Sequence, residues 1–399
     1  MSTPPSLETT QIADPAPQHT PAPTHAPGRI EALDGLRGIA VLSVMAFHFW
    51  AISGPHGHGA ANRLVAKIFG GGWAGVDLFF VLSGFLITGI LCDARGRARY
   101  FRTFYARRVL RIFPLYFALL AVLFIVLPLV LRLDTAESRD LGRHQLWFWT
   151  YLVNWWIATR HGMYVDLLGT GHLWTLSMEE QFYIVWPAVV LLVPRRALLA
   201  ACAATIVAAC GVRIAMHAND ANALVIYTFT FARADALAAG ALVAVAMRDD
   251  ALRPLLRRWA APACGAAALV LLAVIASSGA LDPLDATVQL AGLSALALGF
   301  AALVAVVVTG AAASLGGILS LGALRATGRY SYALYVVHWP IATWLARHTD
   351  LSSTTGGPRM LDKAIFALVA AVIAFAAAIA SWHLLESPIL RLKDRFPYR

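Results

Sequence analysis

The sequence predicts an all-α polytopic membrane protein: a bundle of about ten transmembrane helices with one re-entrant or interfacial aromatic segment. Three observations carry that expectation. Fifty-nine per cent of the 399 residues are hydrophobic and only 14% are charged, where a soluble domain carries about 25% charged residues. Mean hydropathy is +0.67. Apolar runs such as Leu115 to Leu131 and Leu361 to Ala380 approach the roughly 20 residues that a helix needs to cross a hydrocarbon core of about 30 Å.

The elements follow in chain order. Residues 1–28 are rich in Pro, Thr and Ala and lack the apolar core of a signal peptide, so they read as a disordered cytoplasmic tail. Residues 29–390 read as one membrane domain, with candidate spans near 36–53, 73–92, 112–131, 176–193, 197–216, 224–247, 259–277, 288–310, 328–346 and 364–386. Residues 391–399 form a basic tail. Between the third and fourth spans lies LWFWTYLVNWWIA (146–158). Its thirteen residues would cover about 20 Å as a helix, too short to cross, and its Trp and Tyr suit the membrane interface. No fused soluble domain and no internal repeat is visible.

Charge sets the orientation. Seven arginines lie between Arg95 and Arg111, and cytoplasmic loops hold the excess of Lys and Arg. If the aromatic segment does not cross, Arg195/Arg196, the RDDALRPLLRR loop, Arg325/Arg329 and RLKDRFPYR all fall on that same side. Ten spans with both ends cytoplasmic is therefore the expected arrangement. It also accounts for the net charge of +10 without nucleic acid. The four cysteines show no CxxC and no His/Cys metal spacing, and read as small hydrophobes; no metal site is expected.

A few polar residues stand where a membrane disfavours them. In DGLRGIAVLSVMAFHFW, Arg37 and His48 are eleven residues apart, nearly three helical turns, so they share a face with His48 about 16 Å deeper. The imidazole is either a neutral packing group or a proton acceptor near neutral pH. In FYARRVLRIFPLYF, Arg107, Arg108 and Arg111 open the third span as membrane anchors or as guanidinium forks for phosphate. GTGHLWTLSMEEQFYIVWP gathers His172, Trp174, Ser177, Glu179, Glu180 and Gln181 at the outer end of the next span. Adjacent carboxylates diverge by about 100° on a helix, so at most one of Glu179 and Glu180 is expected at a shared site. Arg233 and Asp235, then Ser331, Tyr335 and His338, lie inside later spans, and Glu386 closes the last. Each of these alone also reads as packing glue between helices.

Taken in order, DGLRGIAVLSVMAFH, GVDLFFVLSGFLIT, RRVLRIFPLYF, HLWTLSMEEQFYIVWP, RADALAAG, GRYSYALYVVHWPI and HLLESP resemble the acyltransferase-3 family of bacterial integral membrane O-acyltransferases. The resemblance runs from about Arg29 to Pro388. It rests on Arg, ten residues, His in the first span, on the Arg-x-x-Arg pair, and on Ser-x-Glu-Glu-Gln-Phe-Tyr. Many members carry a further periplasmic hydrolase-like domain, which this sequence is expected to lack. The resemblance implies transfer of an acyl group, most often acetyl, from acyl-coenzyme A to a hydroxyl of a carbohydrate or other acceptor, in the cytoplasmic (inner) membrane. It implies acyl-CoA docking on Arg37, Arg107, Arg108 and Arg111. His48 would serve as general base or transient acyl carrier, assisted by Glu179 or Glu180, and Trp174, Ser177 and Arg233 would contact the acceptor. The competing reading is a transporter or flippase of a glycan or small anionic substrate, since many-span proteins with buried Arg, His and Glu often relay protons; the missing repeats weigh against it. A subunit that binds the acceptor without chemistry is the third.

Overall fold

The computed structural model describes residues 30–53, 60–132, 136–160, 168–349 and 360–398. The expected tail over 1–28 and Arg399 lie outside them. Ten helices of 17 to 27 residues run through this part of the chain. They are α1 (Glu31–Ile52), α2 (Gly75–Ala94), α3 (Tyr100–Ala121), α4 (Trp174–Leu192), α5 (Arg195–Ala218), α6 (Thr230–Ala246), α7 (Leu252–Ser278), α8 (Leu293–Thr309), α9 (Gly322–His348) and α10 (Met360–Ser381). No strand occurs among the described residues. The protein is an all-helical polytopic membrane protein.

Eight helical segments are long and apolar enough to cross a membrane by length and composition. The two long helices outside that set, α4 and α9, carry the polar load. Glu179, Glu180 and Gln181 interrupt α4, and Arg325, Arg329, His338 and Arg347 interrupt α9. Residues 146–158 do not form a span. They break into two short helices, Leu146–Trp149 and Val153–Thr159, at Tyr151, whose φ of 55° no helix continues. The Tyr151 ring stacks on Tyr116 at 4.2 Å, which holds the broken segment against α3.

Small residues let the central helices touch. A β-carbon on Gly328 of α9 would lie 1.8 Å from the Asp34 carbonyl oxygen of α1, and one on Gly38 would lie 2.4 Å from that of Leu324. Gly84 and Gly240 do the same for α2 and α6, each 2.0 Å from a carbonyl oxygen of the other helix. Such backbone contact is how helices associate where apolar burial gives little preference for protein over lipid.

The basic loops meet at one end of the bundle. Arg95 donates to the Leu191 carbonyl (3.0 Å) and Arg97 to that of Tyr398 (2.9 Å). Arg195 donates to the Arg248 carbonyl (2.8 Å), and Arg248 pairs with Asp93 (2.5 Å). Arg325 pairs with Glu31 at the start of α1. The loops after α2, α4 and α6 and the C-terminal segment therefore share one face.

Candidate active site

A cavity of about 130 Å³ lies between α1, α2, α3, α4 and α9. Its polar lining comes from Arg37 of α1, Ser83 of α2, Arg108 and Arg111 of α3, Glu179, Glu180 and Tyr183 of α4, and Ser331 and Tyr335 of α9. Drug-sized ligands occupy about 300–1,000 Å³, so this space admits one end of a long molecule. Arg108 and Arg111 reach it together because residues three apart share a helix face.

Arg107, one position earlier, points elsewhere. It donates to the carbonyls of Lys393 (3.3 Å) and Phe396 (3.0 Å) and lies over the Tyr398 ring at 5.6 Å. Burial pushes the Tyr398 phenol up, so the ring stays neutral beneath the guanidinium. Arg107 thus clamps the C-terminal segment, and there burial, with the repulsion of Arg111, Arg108 and Arg107, pushes the Lys393 ammonium down to about 7. Sequence reading assigns no role to Lys393, because nothing local places residue 393 against residue 107.

Within the cavity the partners are unequal. Arg37 keeps Asp34 at 3.2 Å. Glu179 accepts hydrogen bonds from Ser83 (2.7 Å) and Tyr183 (3.2 Å). Arg108 Nε and Glu180 Oε1 are buried with no partner. The expectation that at most one of Glu179 and Glu180 reaches a shared site is corrected here: both line the cavity. The space wraps around α4 widely enough to meet side chains 100° apart.

Trp174 and Ser177 face the other side of α4. Trp174 is buried and meets the rings of Tyr227 (5.1 Å) and Phe80 (6.0 Å). Ser177 donates to the Leu173 carbonyl of its own chain segment (3.3 Å). Arg233 also lies outside the cavity lining. It is fully buried, bound to Asp77 at 2.9 Å, and stacked over Tyr227 at 4.9 Å. Arg233 and Trp174 thus tie helices together, while the Ser177 bond stays within its own segment.

His48 stands beyond the cavity, away from the basic end. Its Nδ1 lies 2.8 Å from His338 Nε2, and the two rings stack at 5.1 Å. His172 completes the cluster, 5.3 Å from His338 and 6.5 Å from His48 between ring centroids. Trp339 packs against His48 at 4.4 Å. Tyr335 separates cluster from cavity. It lines the cavity, bonds Thr175 across the helices at 2.7 Å, and packs 5.4 Å and 5.7 Å from His172 and His338. The arrangement offers a cationic space, two carboxyl groups and, one residue layer away, a cluster of three imidazoles.

Comparison with known proteins places the whole chain. The chain is 28% identical over 379 residues to the Bacillus subtilis (strain 168) protein YrhL, which bears a provisional peptidoglycan O-acetyltransferase name; the match covers 90% of this chain and 55% of that protein. It is 26% identical over 373 residues to the peptidoglycan O-acetyltransferase OatA of Listeria monocytogenes, covering 90% of this chain and 56% of the relative. A shorter match of 176 residues, 31% identical, joins 42% of this chain to 25% of the O-acetyltransferase OatA of Staphylococcus aureus (strain NCTC 8325 / PS 47). The chain thus spans about half the length of the first two of these relatives. No solved structure matches it. The acyltransferase domain that defines the acyltransferase-3 family matches residues 30–383, and the chain belongs to that family.

Proposed function

We propose that this protein is a membrane O-acyltransferase that moves an acyl group, acetyl in the simplest case, from acyl-CoA to a hydroxyl of a glycan of the peptidoglycan type. The observation that carries the reading is the convergence of Arg37, Arg108 and Arg111 with Glu179 and Glu180 on one cavity beside His48. Coenzyme A presents phosphates at one end and a thioester at the other. Phosphate oxygens are strong acceptors for guanidinium forks, and the buried Arg108 Nε has no protein partner. These residues fit the donor's anionic end, while the narrow cavity fits its pantetheine arm.

In this reading the acyl end passes the Thr175–Tyr335 pair to reach His48. The imidazole takes the proton of the acceptor hydroxyl as its oxygen bonds to the acyl carbon. The carbon–sulfur bond breaks, and the thiolate leaves with the proton from His48. Glu179 or Glu180 orients the acceptor. We further read ten crossings of the inner membrane with both termini cytoplasmic, because the Arg-rich loops share one face and positive loops stay inside. Reporters fused at Asp249 and after Arg399 should both signal the cytoplasm; periplasmic signals at both would reverse the docking side.

Purified protein given acetyl-CoA and a muropeptide-derived glycan tests the reaction. Acceptor-dependent release of free thiol, with a matching mass gain on the glycan, is expected. A transporter or a binding subunit releases none, and absence of thiol release from a folded sample would overturn the proposal.

A further inference from the structure

Of the three clustered imidazoles, only His48 is more than marginally exposed. His338 is 0% exposed and His172 4%, while His48 is partly exposed. His338 therefore cannot meet a substrate, yet it makes the closest polar contact that His48 has in the cluster. We infer that His338 is a positioning residue that fixes His48 in the tautomer whose Nε2 is unprotonated, presenting that nitrogen to the acceptor hydroxyl. The inference rests on His48 acting as the base, as proposed above.

The hydrogen positions follow from the partners. His338 Nδ1 lies 2.8 Å from the Tyr335 carbonyl oxygen and 3.0 Å from that of Leu334. Carbonyl oxygens only accept, so His338 Nδ1 carries a hydrogen. A neutral imidazole has one N–H, which leaves a lone pair on His338 Nε2. That lone pair faces His48 Nδ1 at 2.8 Å. The hydrogen between the rings must then belong to His48, and the His48 lone pair is left on Nε2. Among the described residues no carboxylate hydrogen-bonds to His338, so nothing there supports a buried imidazolium in its place.

The sequence around His338 holds it in register. Pro340 has no N–H, so the Val336 carbonyl four residues earlier loses its helical donor. His172 Nε2 takes up that carbonyl at 3.3 Å. Gly169, with φ of +67°, lets the preceding backbone lie against Pro340, where a β-carbon would fall 2.6 Å from the proline Cα. One proline thus anchors a second imidazole beside the first.

The chemical consequence is specific. When His48 Nε2 takes the hydroxyl proton, the cation formed already donates from Nδ1 to a neutral acceptor. The proton then leaves from Nε2 to the departing thiolate, and His338 neither gains nor loses one.

Two variants and one spectrum test this. His338→Phe keeps an aromatic ring in the site but removes both nitrogens, while His338→Gln returns an amide oxygen that can accept from His48. With His338→Phe, kcat should fall on the order of 10²-fold at unchanged acetyl-CoA KM, and His338→Gln should recover part of it. Adding His338→Phe to His48→Gln should cost nothing more, as for groups acting as a unit. Because a variant could misfold, the wild-type protein with ¹⁵N-labelled histidine is the deciding sample. Its His48 signals, assigned by their loss in His48→Gln, should show protonated Nδ1 and unprotonated Nε2. A protonated Nε2 with bare Nδ1, or full turnover in His338→Phe, overturns the inference even in an active enzyme. An inactive wild type that shows the expected tautomer instead overturns the proposed reaction and supports the dyad.

Discussion

Between α2, α5, α6 and α8 buried arginines are ion-paired across helices, whereas between α1, α3 and α4 arginine lines a void. In the first region Arg233 binds Asp77 at 2.9 Å and Arg213 binds Asp235 at 2.9 Å. Ser294 links the second pair to α8 by donating to Asp235 (3.2 Å) and accepting from Arg213 (2.5 Å). Both arginines are fully buried. Arg213 Nε, Arg233 Nε and Nη1 and Asp77 Oδ2 still lack partners there, as Arg108 Nε and Glu180 Oε1 do in the second region, so the regions differ in ion pairing: Arg108 forms none among the described residues. Buried polar atoms without partners are costly. Arginine spent on ion pairs ties helices together; for the arginine left unpaired at the cavity, the proposed function assigns the partner to the acyl donor. The two regions should therefore fail differently.

The largest effect is expected on the open side. His48→Gln keeps neutral hydrogen bonding but cannot take a proton near pH 7. Turnover should fall by about 10²–10⁴-fold with an unchanged melting temperature in detergent. Near-normal turnover would return His48 to packing and move the search for a base to Glu179 and Glu180.

Next comes the closed side. Asp77→Leu strands the Arg233 guanidinium in the bundle, and breaking a buried pair from one end costs about 3–5 kcal/mol. Melting temperature should drop sharply, and any activity loss should follow the folded fraction. An Asp77→Leu protein that melts normally but binds donor poorly would place Arg233 in the binding machinery instead.

A smaller effect is expected for Arg111→Lys. Lysine keeps the charge but offers no planar fork, so donor affinity should be intermediate between wild type and Arg111→Ala. Full restoration by lysine would mean that a membrane anchor suffices. The smallest effect is expected for Arg107→Ala, which frees the C-terminal segment without touching the cavity wall. Its half-buried contacts are worth about 1 kcal/mol, so donor affinity should weaken less than about fivefold by titration. A loss as large as that of Arg108→Ala would put Arg107 on the ligand.

The closed region was the harder one to read in the sequence. Asp77 and Arg233 are 156 positions apart, and no periodicity within either helix announces the pair. The open region was easier, because its chemistry is local: Arg108 and Arg111 lie one turn apart, and Arg37 precedes His48 on one face. Even there, one-dimensional geometry misled at two points. It grouped Arg107 with its neighbours, although the tail 286 residues away takes its hydrogen bonds, and it separated Glu179 from Glu180. His338 was visible as an imidazole inside a span but not as the partner of His48, 290 residues earlier. The fold fared better. The ten apolar runs correspond to ten long helices, and the short aromatic run breaks at Tyr151, since length and aromatic content are local properties.

Acetyl-CoA affinity, measured by calorimetry on detergent-purified protein beside its melting temperature, tests the contrast most directly. Wild type is compared with the Arg108→Ala/Arg111→Ala double variant. Loss of charge-assisted hydrogen bonds worth about 1.5–3 kcal/mol each predicts a Kd at least tenfold weaker with melting unchanged. An unchanged Kd would contradict the account, because the arginines facing the cavity would then have no ligand to wait for.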